Sequence, residues 1–559
     1  MKSRLNPTFI PWRFYSSVFL ILLLVCALSA RVVELSIFKR NFLQHEGDNR
    51  SLRILTVPAF RGVITDRHGY PLAISTTVYS IWVNPKEFLY TRNNLNTLAA
   101  LLGLSPNQIQ AQTQKKTKEF VYLKRGVDPV RAAKIKNLAI PGLYQQEEYK
   151  RYYPEGEVAA QLVGFTNVDD KGQEGLELAY NKWLSGTPGK KRVEQDRRGR
   201  VISDMQVVEQ NHSGNDLMLS MDRRIQYLAY RELLEGLKKN VAVSGSVVVL
   251  DVKTGEVLAM VNLPSFNPNN KTKQESELFR NRAVTDIFEP GSTIKAFSIA
   301  SALDSGLFKP DTMIDTSPGW MRVDHHVVRD EHNNGPITVS QILQVSSNVG
   351  TTKMVLALPP SQLWSLLHRI GFGEMTDSGF PGEQSGSLVN RAKWGSFTLA
   401  TLAFGYGISV TPLQLAQAYS TLAHNGIKIP ISLLKINKTP VGEQVIDKKV
   451  ANQMMSLLET VITTKGATGE LARIPGYRVA GKTGTAVMAG LHGYQKHHYT
   501  SSFVGIAPAS DPQLVVAVII HDPQGKNYYA SIVSAPVFKK IMEGSLRILN
   551  VPLDDPNVT

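Results

Sequence analysis

An uncharged apolar run near the N-terminus most constrains how this chain can fold. The run Phe14–Ala30 lies between Arg13 and Arg31. As a helix it would be about 25 Å long, which is the short limit for a membrane span. Residues 1–13 are basic and contain no acid. We therefore expect them to stay in the cytoplasm and the rest of the chain to be exported.

The apolar run can be interpreted in two ways. It can be a cleavable signal peptide, because Ala27–Ser29 supplies small residues for cleavage. We favour an uncleaved anchor, because the run is longer than a typical signal core and apolar residues continue to Phe38. The sequence thus predicts a cytoplasmic tail at 1–13 and a transmembrane helix at 14–38. The one cysteine, Cys26, lies in this helix, so no intramolecular disulfide framework is expected.

The remaining composition indicates a folded protein of several domains with an anionic neighbour. The chain has 559 residues, of which 43% are hydrophobic, and its formal net charge is +15. Such a charge favours nucleic acid, anionic lipid or another acidic polymer as a neighbour. Because the chain is expected to be exported, we expect no nucleic acid and favour a lipid surface or an acidic extracellular polymer.

Sequence patterns divide the chain after the anchor. Residues 39–235 mix short strand-like runs with basic stretches, which is typical of a stalk-like domain. Beyond that point, Ser246–Asp251 and Val257–Val261 are typical of two buried strands in a hairpin. Helical patterns then alternate with β-branched runs such as Leu514–Ile520. We predict a large C-terminal α/β domain at 236–559.

Ser292 and Lys295 stand where an apolar helix pattern begins, directly after Pro290–Gly291. If Ser292 only capped this helix, Glu or Gln three residues later would complete the capping box. Lys295 stands there instead, against the positive end of the helix dipole. Residues i and i+3 share a helix face, so the amine can reach the hydroxyl. A desolvated, neutral lysine can take a serine proton, and the helix N-terminus offers N–H groups to an oxyanion.

Two later motifs complete a set with this pair. Ser346-Ser-Asn348 offers outer side chains that can relay a proton and orient an amide. In Lys482-Thr-Gly-Thr485, the glycine permits an extended peptide to approach and pair with the strand. The lysine and hydroxyls of this motif can hold a terminal carboxylate. A lone Ser-x-x-Lys is a weak signal, but the three elements in this order strongly indicate an acyl-serine enzyme.

These motifs resemble the class B penicillin-binding proteins, which are D,D-transpeptidases of peptidoglycan synthesis. The resemblance is close to the division-specific (septal) type of Gram-negative bacteria and covers nearly the whole chain. Segments similar to the family's pedestal motifs are Arg61–Ala73, Arg151–Pro154 and Gly172–Glu177. Segments similar to its catalytic domain are Phe288–Lys295, Ser346–Gly350, Phe404–Gly407 and Ser534–Phe538.

The resemblance implies a catalytic role for five residues. Ser292 would be the acylated nucleophile, and Lys295 its general base. Ser346 and Lys482 would relay a proton to the leaving D-alanine. Asn348 would bind the amide of the stem peptide.

The resemblance also implies a substrate-binding strand and an aromatic wall. Thr483 and Thr485 would bind the terminal carboxylate beside Gly484. The backbone N–H groups of Ser292 and Thr485 would form the oxyanion hole. The wall would consist of three tyrosines, for which burial in the core is an equally open alternative: Tyr499, Tyr528 and Tyr529.

The fold implied by the resemblance is an α/β (α+β) transpeptidase domain, with a central antiparallel sheet and helices on both sides. An elongated mixed pedestal and one N-terminal transmembrane helix would accompany it. The implied partners are peptidoglycan stem peptides, β-lactam antibiotics, the membrane, a polytopic glycan polymerase and other division-complex proteins. The implied location is the bacterial inner membrane, with one span and a periplasmic catalytic domain. Serine chemistry needs no cofactor, so none is assigned.

Four other functions compete with this one. The stretch 476–483 matches a phosphate-binding loop, but that motif needs a strand–loop–helix, and β-type residues follow here. A serine β-lactamase shares the three motifs, yet no Glu-x-x-Leu-Asn sequence lies between Asn348 and Lys482. A β-lactam sensor would be expected to carry a larger cytoplasmic or multi-span module. A non-catalytic scaffold would not need an intact Ser-x-x-Lys pair.

Two polar groups could bind a metal or simply face solvent. The larger one, which we expect to be a solvated loop without a metal, consists of Asp324, His325, His326, Asp330, Glu331 and His332. His497 and His498 raise the same question, and no metal is assigned there either.

Overall fold

The computed structural model describes residues 11–114, 117–195, 201–270, 276–390, 395–490 and 493–555. Most of the predicted cytoplasmic tail and part of the basic stretch near residue 197 lie outside them. The described chain forms two compact units. The first contains residues 11–60, 78–148 and 186–213, and the second contains 61–77, 149–185 and 214–555. The predicted boundary at 235/236 falls within a helix, Arg223–Asn240, and the domain limits stay a prediction.

The strands, in chain order, are β1 (Leu52–Val57), β2 (Ile64–Thr65), β3 (Pro71–Val83), β4 (Val121–Val127), β5 (Leu143–Tyr152), β6 (Phe165–Thr166), β7 (Gly172–Glu174), β8 (Gly189–Gln195), β9 (Val201–Glu209), β10 (Leu217–Met218), β11 (Ala242–Asp251), β12 (Val257–Leu263), β13 (Met313–Asp315), β14 (Trp320–Val323), β15 (His326–Arg329), β16 (Pro336–Thr338), β17 (Ile427–Lys428), β18 (Glu443–Gln444), β19 (Ala480–Gly490), β20 (Gly493–Ala507) and β21 (Leu514–Pro523).

The α-helices are α1 (Pro11–Val33), α2 (Arg40–Ser51), α3 (Arg92–Leu102), α4 (Pro106–Thr113), α5 (Pro129–Lys136), α6 (Ala160–Val163), α7 (Gly175–Ala179), α8 (Asn181–Leu184), α9 (Arg223–Asn240), α10 (Arg282–Thr285), α11 (Lys295–Asp304), α12 (Val339–Val345), α13 (Asn348–Leu356), α14 (Gln362–Ile370), α15 (Ser396–Ala403), α16 (Pro412–Ala423), α17 (Lys448–Thr463), α18 (Ala530–Val533) and α19 (Ala535–Ile548). A π-helical turn, Glu34–Phe38, follows α1, and short 3-10 turns occur at Gly156–Val158, Ser276–Leu278, Gly291–Ile294 and Glu470–Ala472.

The apolar run at the N-terminus is helical, as predicted. From Pro11 to Phe38 it is long and apolar enough to cross a membrane, with a mean hydropathy of 2.5, and none of it is buried in the protein. The helix α1, Pro11–Val33, extends beyond the uncharged run 14–30 at both ends. It fits a single-pass membrane anchor. A signal sequence has the same features, so retention of the helix stays a prediction.

The first unit has two sheets. One is the three-stranded sheet β1-β8-β9, whose strand pairs are both antiparallel. In the other, the C-terminal part of β3 pairs with β4. Apolar side chains of these strands pack against α3 and α5, as at Ile81, Leu98 and Ile135, all of which are buried.

The second unit is built around the five-stranded sheet β12-β11-β21-β20-β19. Every neighbouring pair in it is antiparallel. Successive side chains of a strand point to opposite faces. Accordingly, Val248 joins an apolar cluster with Phe297 and Tyr419, whereas Val249 joins another cluster with α9 and α19. Both faces are thus covered by helices, which explains the continuous apolar runs and confirms the predicted central antiparallel sheet.

The three motifs that resemble a pedestal meet in a buried ion triad of the second unit. Glu177 accepts hydrogen bonds from the Nε atoms of Arg61 and Arg151, each at 2.6 Å. All three side chains are at most 1% exposed. The guanidinium groups also donate to backbone oxygens, including Gly62 O at 2.7 Å from Arg151. The triad joins segments that are about 90 and 26 residues apart in sequence, which no local pattern predicts.

Candidate active site

The segment with the predicted nucleophile forms a 3-10 turn that continues into α11. Gly291 begins the turn with φ of +55°, and a Cβ there would lie 3.3 Å from both Thr485 O and the Ala486 Cβ. A glycine therefore suits this close approach of the turn to β19. Ser292 is partly exposed, and its hydroxyl makes no hydrogen bond with the described part of the chain.

Lys295 is the first residue of α11 and is fully buried. Its Nζ donates to Asn348 Oδ1 at 2.7 Å, to Ser346 Oγ at 3.2 Å and to the Ser346 carbonyl. Burial lowers the pKa of Lys295 to about 7, although the charges of Asp330 and Glu331 oppose the shift. The amine is thus deprotonated in a large fraction of molecules near neutral pH. Its predicted proton transfer with Ser292 stays a prediction.

Lys482 approaches Ser346 from the strand β19. Its Nζ donates to Ser346 Oγ at 3.0 Å and to Thr483 O at 3.0 Å. The side chain is fully buried, and desolvation and then the charge of Lys295 hold the pKa of Lys482 well below its usual range. Ser346 Oγ therefore lies between two buried amines, so a proton can pass through it in either direction.

The turn with Ser346 joins α12 to α13. Ser346 has φ of +60°, a left-handed conformation that ends α12. Ser347 then caps α13, because its Oγ accepts a hydrogen bond from the N–H of Gly350 at 2.9 Å. This cap fixes the direction of α13 and with it the position of Asn348. The Asn348 side chain also donates to Arg329 O at 2.9 Å.

Asp330 holds this turn in place, a role that the sequence did not reveal. Its carboxylate accepts hydrogen bonds from the N–H groups of Asn348 and Val349, at 2.5 and 3.0 Å, and from Ser347 Oγ at 2.5 Å. A carboxylate is favourable at the positive N-terminus of a helix. Asp330 was grouped above with possible metal ligands, and because Ser347 already supplies a local cap for α13, nothing in the sequence pointed to a second, distant cap.

The strand β19 lies at the edge of the five-stranded sheet, next to the nucleophile turn. Gly484 passes so close to that turn that a Cβ would lie 2.8 Å from Pro290 O, and on the other side it would meet Ser502 Oγ of β20 at 2.5 Å. Thr483 and Thr485 point into the cleft. Thr485 Oγ1 accepts from the N–H of Ala530 at 3.1 Å, and Thr483 Oγ1 accepts from Lys482 at 3.3 Å. Their hydroxyl hydrogens are left to donate to a carboxylate.

The three tyrosines are stacked on one another in the wall of the cleft. The rings of Tyr499 and Tyr528 are 3.9 Å apart and inclined by 8°, and those of Tyr528 and Tyr529 are 4.5 Å apart. All three line the cleft, and none is fully buried. The geometry therefore favours the aromatic wall over the alternative of a place in the core, and their contact with substrate stays a prediction.

The cleft has a volume of about 460 Å³. Ser292 lines it together with residues of all three motifs and the tyrosines. Eight of the predicted site residues thus reach one cavity from distant parts of the sequence: Ser292, Ser346, Asn348, Thr483, Thr485, Tyr499, Tyr528 and Tyr529. Lys295 and Lys482 lie below its surface.

The structure shows the surroundings of the phosphate-loop match and of the two polar groups that were considered as metal ligands. Lys482 and Thr483 lie within the continuous strand β19, and no helix follows them, so the phosphate-loop interpretation of 476–483 is wrong. In the Asp–His cluster, Asp324 and His325 form the exposed turn between β14 and β15, and His326 begins β15. His326 in it stacks on Phe397 at 3.9 Å, and His498 pairs with Asp522 at 2.9 Å.

Comparison with known proteins finds relatives over nearly the whole chain. The chain matches the model of the penicillin binding protein transpeptidase domain over residues 245–543 and that of the penicillin-binding protein dimerisation domain over residues 56–219. The probable peptidoglycan D,D-transpeptidase PbpC of Pseudomonas aeruginosa is 43% identical over 97% of this chain and 96% of its own length. The peptidoglycan D,D-transpeptidase FtsI of Escherichia coli K12 is 43% identical over 98% of this chain and 94% of its own length. A solved peptidoglycan synthetase from Bifidobacterium adolescentis is 28% identical and superposes with a TM-score of 0.72, over 90% of this chain and 98% of that one.

Proposed function

This chain belongs to the class B penicillin-binding proteins, and we propose that it cross-links peptidoglycan through an acyl enzyme on Ser292. It is a serine-type D,D-transpeptidase of septal cell-wall synthesis, and its substrates are peptidoglycan stem peptides. The observation that best supports these residue roles is the position of Ser346 Oγ, which lies between Lys295 and Lys482 in the cleft that Ser292 also lines.

In the first step, the donor stem peptide pairs with the edge of β19. Thr483 and Thr485 donate to its terminal carboxylate, and Asn348 holds a backbone amide. Neutral Lys295 takes the proton of Ser292, whose Oγ attacks the carbonyl carbon between the two D-alanines. The N–H groups of Ser292 and Thr485 stabilise the resulting oxyanion. The C–N bond then breaks, and the leaving D-alanine receives a proton through Ser346 and Lys482.

In the second step, the amine of a neighbouring stem peptide attacks the ester. A new C–N bond forms, the C–Oγ bond breaks, and Ser292 Oγ regains a proton. A β-lactam is attacked in the same way as the donor, because its strained amide resembles D-Ala-D-Ala. Its leaving group stays attached, so the acyl enzyme is long-lived. Binding of β-lactams fits this family and this cleft.

Location and partners extend this proposal. We infer that α1 anchors the chain in the bacterial inner membrane, with residues 1–13 in the cytoplasm and the catalytic domain in the periplasm. We assign the pedestal to 39–235 and the transpeptidase domain to 236–559. A polytopic glycan polymerase and other division-complex proteins are the proposed partners, since the cross-linked substrate must be supplied by a polymerising reaction at the membrane.

Mass spectrometry of the penicillin adduct tests the site. We expect one labelled peptide, the one that contains Ser292, and we expect no label after Ser292→Ala. The matched control is Ser361→Ala, because Ser361 is exposed and its side chain makes no cap hydrogen bond. Both variants should keep the circular dichroism of the folded protein. Label on another serine would reject the assignment, and rapid release of the label would indicate a β-lactamase.

A further inference from the structure

Glu331 lies in the wall of the catalytic cleft, and none of the steps above uses it. It follows Asp330 in the segment between β15 and β16, and it lines the cleft with an exposed side chain. Both carboxylate oxygens of Asp330 are bonded to the 347–349 turn. The carboxylate of Glu331, by contrast, forms no hydrogen bond or ion pair with the described residues.

The charge of Glu331 acts on both sides of the cleft. Burial lowers the pKa of Lys295, and Glu331 is one of two acids that oppose the shift. On the aromatic wall, the pKa of Tyr528 is raised first by its hydrogen bond with Tyr529 and also by the charge of Glu331. Since Coulomb interactions weaken with distance, Glu331 lies close enough for its charge to affect both Lys295 and Tyr528.

The accessible charge of the cleft is opposite to that of the whole protein. The formal net charge is +15, yet no Lys or Arg occurs among the described residues that line the cleft. Lys295 and Lys482 are fully buried beneath it. A cationic group that enters the cleft therefore meets Glu331 as an acid that no other described side chain neutralises.

We propose that Glu331 binds the ammonium group of the acceptor stem peptide as it enters the cleft. This inference rests on the proposed transpeptidase function. An alkyl amine has a pKa of about 10.4, so the acceptor arrives as a cation that the buried lysines repel when charged. The reacting end of the donor is a carboxylate, for which the hydroxyls of Thr483 and Thr485 are suited. An acid at 331 therefore favours the acceptor over the donor.

The proton balance of the second step follows from this arrangement. The ammonium releases one proton to water before its nitrogen attacks. As the C–N bond forms and the C–Oγ bond breaks, a second proton passes from the nitrogen to Ser292 Oγ. Glu331 takes no proton in this sequence. It raises the local concentration of the cation and holds it beside the ester.

A competition between two nucleophiles tests the proposal in the full-length protein. The acyl enzyme is formed from a D-alanyl thioester donor that carries no amine. It is then offered two nucleophiles near neutral pH. One is a stem peptide with a diamino acid at its third position, whose amine is a cation, and the other is hydroxylamine, which is uncharged. We expect Glu331→Gln to lower the ratio of peptide product to hydroxamate about threefold to tenfold, and Glu331→Lys to lower it further. Salt should reduce the ratio in the wild type more than in Glu331→Gln.

Glu443→Gln is the matched control, because Glu443 is exposed on β18 and does not line the cleft. It should keep the wild-type ratio. An unchanged ratio in Glu331→Gln would overturn the proposal. An effect that appears only with donors that carry an amine would assign Glu331 to the donor. Failure of the transpeptidase function would differ from both, because no acyl enzyme would form in the wild type.

Discussion

At the scale of single residues, two buried amines share one serine hydroxyl. Ser346 Oγ is 3.2 Å from Lys295 Nζ and 3.0 Å from Lys482 Nζ. Two ammonium groups so close together in a desolvated site repel each other. The pair therefore favours a state in which at least one of the two amines is neutral. A lysine on a protein surface could not act as a base at neutral pH. Burial of Lys295 supplies that base without a histidine.

The rate of acylation should therefore depend on the protonation of Lys295. Its pKa is lowered to about 7, so the reactive neutral amine predominates above that pH and is lost below it. We expect the second-order rate constant for a chromogenic β-lactam to fall about tenfold per pH unit well below the midpoint and to level off above it. Stopped-flow measurements from about pH 5 to about pH 9 would show the midpoint.

Two variants test whether this midpoint comes from Lys295. Lys295→Ala should slow acylation by orders of magnitude at every pH. Asp330 raises the pKa of Lys295 by its charge, so Asp330→Asn should move the midpoint to lower pH. A rate that stays constant through neutral pH in the wild type would reject Lys295 as the base.

At the scale of elements, the edge strand β19 can hold the donor peptide beside Ser292 only if it lies against the nucleophile turn. A Cβ on Gly484 would come within 2.8 Å of both Pro290 O and Thr293 Cγ2. The carbonyl belongs to the turn itself and cannot give way, so Gly484→Ala must push the strand and the turn apart. We expect acylation to slow more than about tenfold and stability to fall by about 1–3 kcal/mol.

Gly490→Ala is the control for this strand. A Cβ there would meet the end of the flexible Gln495 side chain, which can move aside. Stability and acylation should stay close to those of the wild type. If Gly484→Ala and Gly490→Ala behaved alike, the close approach of β19 to the turn would not limit catalysis.

The elements also show what a sequence can predict. The β11–β12 hairpin and β21 were predicted, because their apolar runs are long and local. The position of β19 at the sheet edge was suggested only by its chemistry, since strand order depends on contacts between distant segments. Asp330 was missed for the same reason: it caps a helix that begins at Asn348. Short strands such as β2 and β10 carry no periodic signal at all.

At the scale of the whole molecule, the buried Arg61–Glu177–Arg151 triad joins segments that lie far from the catalytic motifs in sequence. Glu177→Ala would leave two guanidinium groups buried without a counter-charge. Removal of one partner of such a group typically costs about 3–5 kcal/mol. We therefore expect a markedly lower Tm in thermal unfolding followed by circular dichroism.

The exposed pair of Glu235 with Lys540 is the comparison for the triad. Glu235→Gln should leave Tm unchanged within error, because solvent screens an exposed ion pair. An equal effect of the two substitutions would mean that the triad does not stabilise the fold.

The last prediction concerns the orientation of the chain in the membrane. Pro11–Phe38 is apolar and unburied, and the residues before it are basic. Positive residues stay on the cytoplasmic side, so everything beyond the helix should face the periplasm, where the stem peptides are. Protease added to intact spheroplasts should therefore digest the penicillin-labelled domain and leave an N-terminal tag protected until the cells are lysed. Loss of the tag from the mature protein would instead show that the helix is a cleaved signal. Protection of the labelled domain would place the active site on the wrong side of the membrane for its substrate.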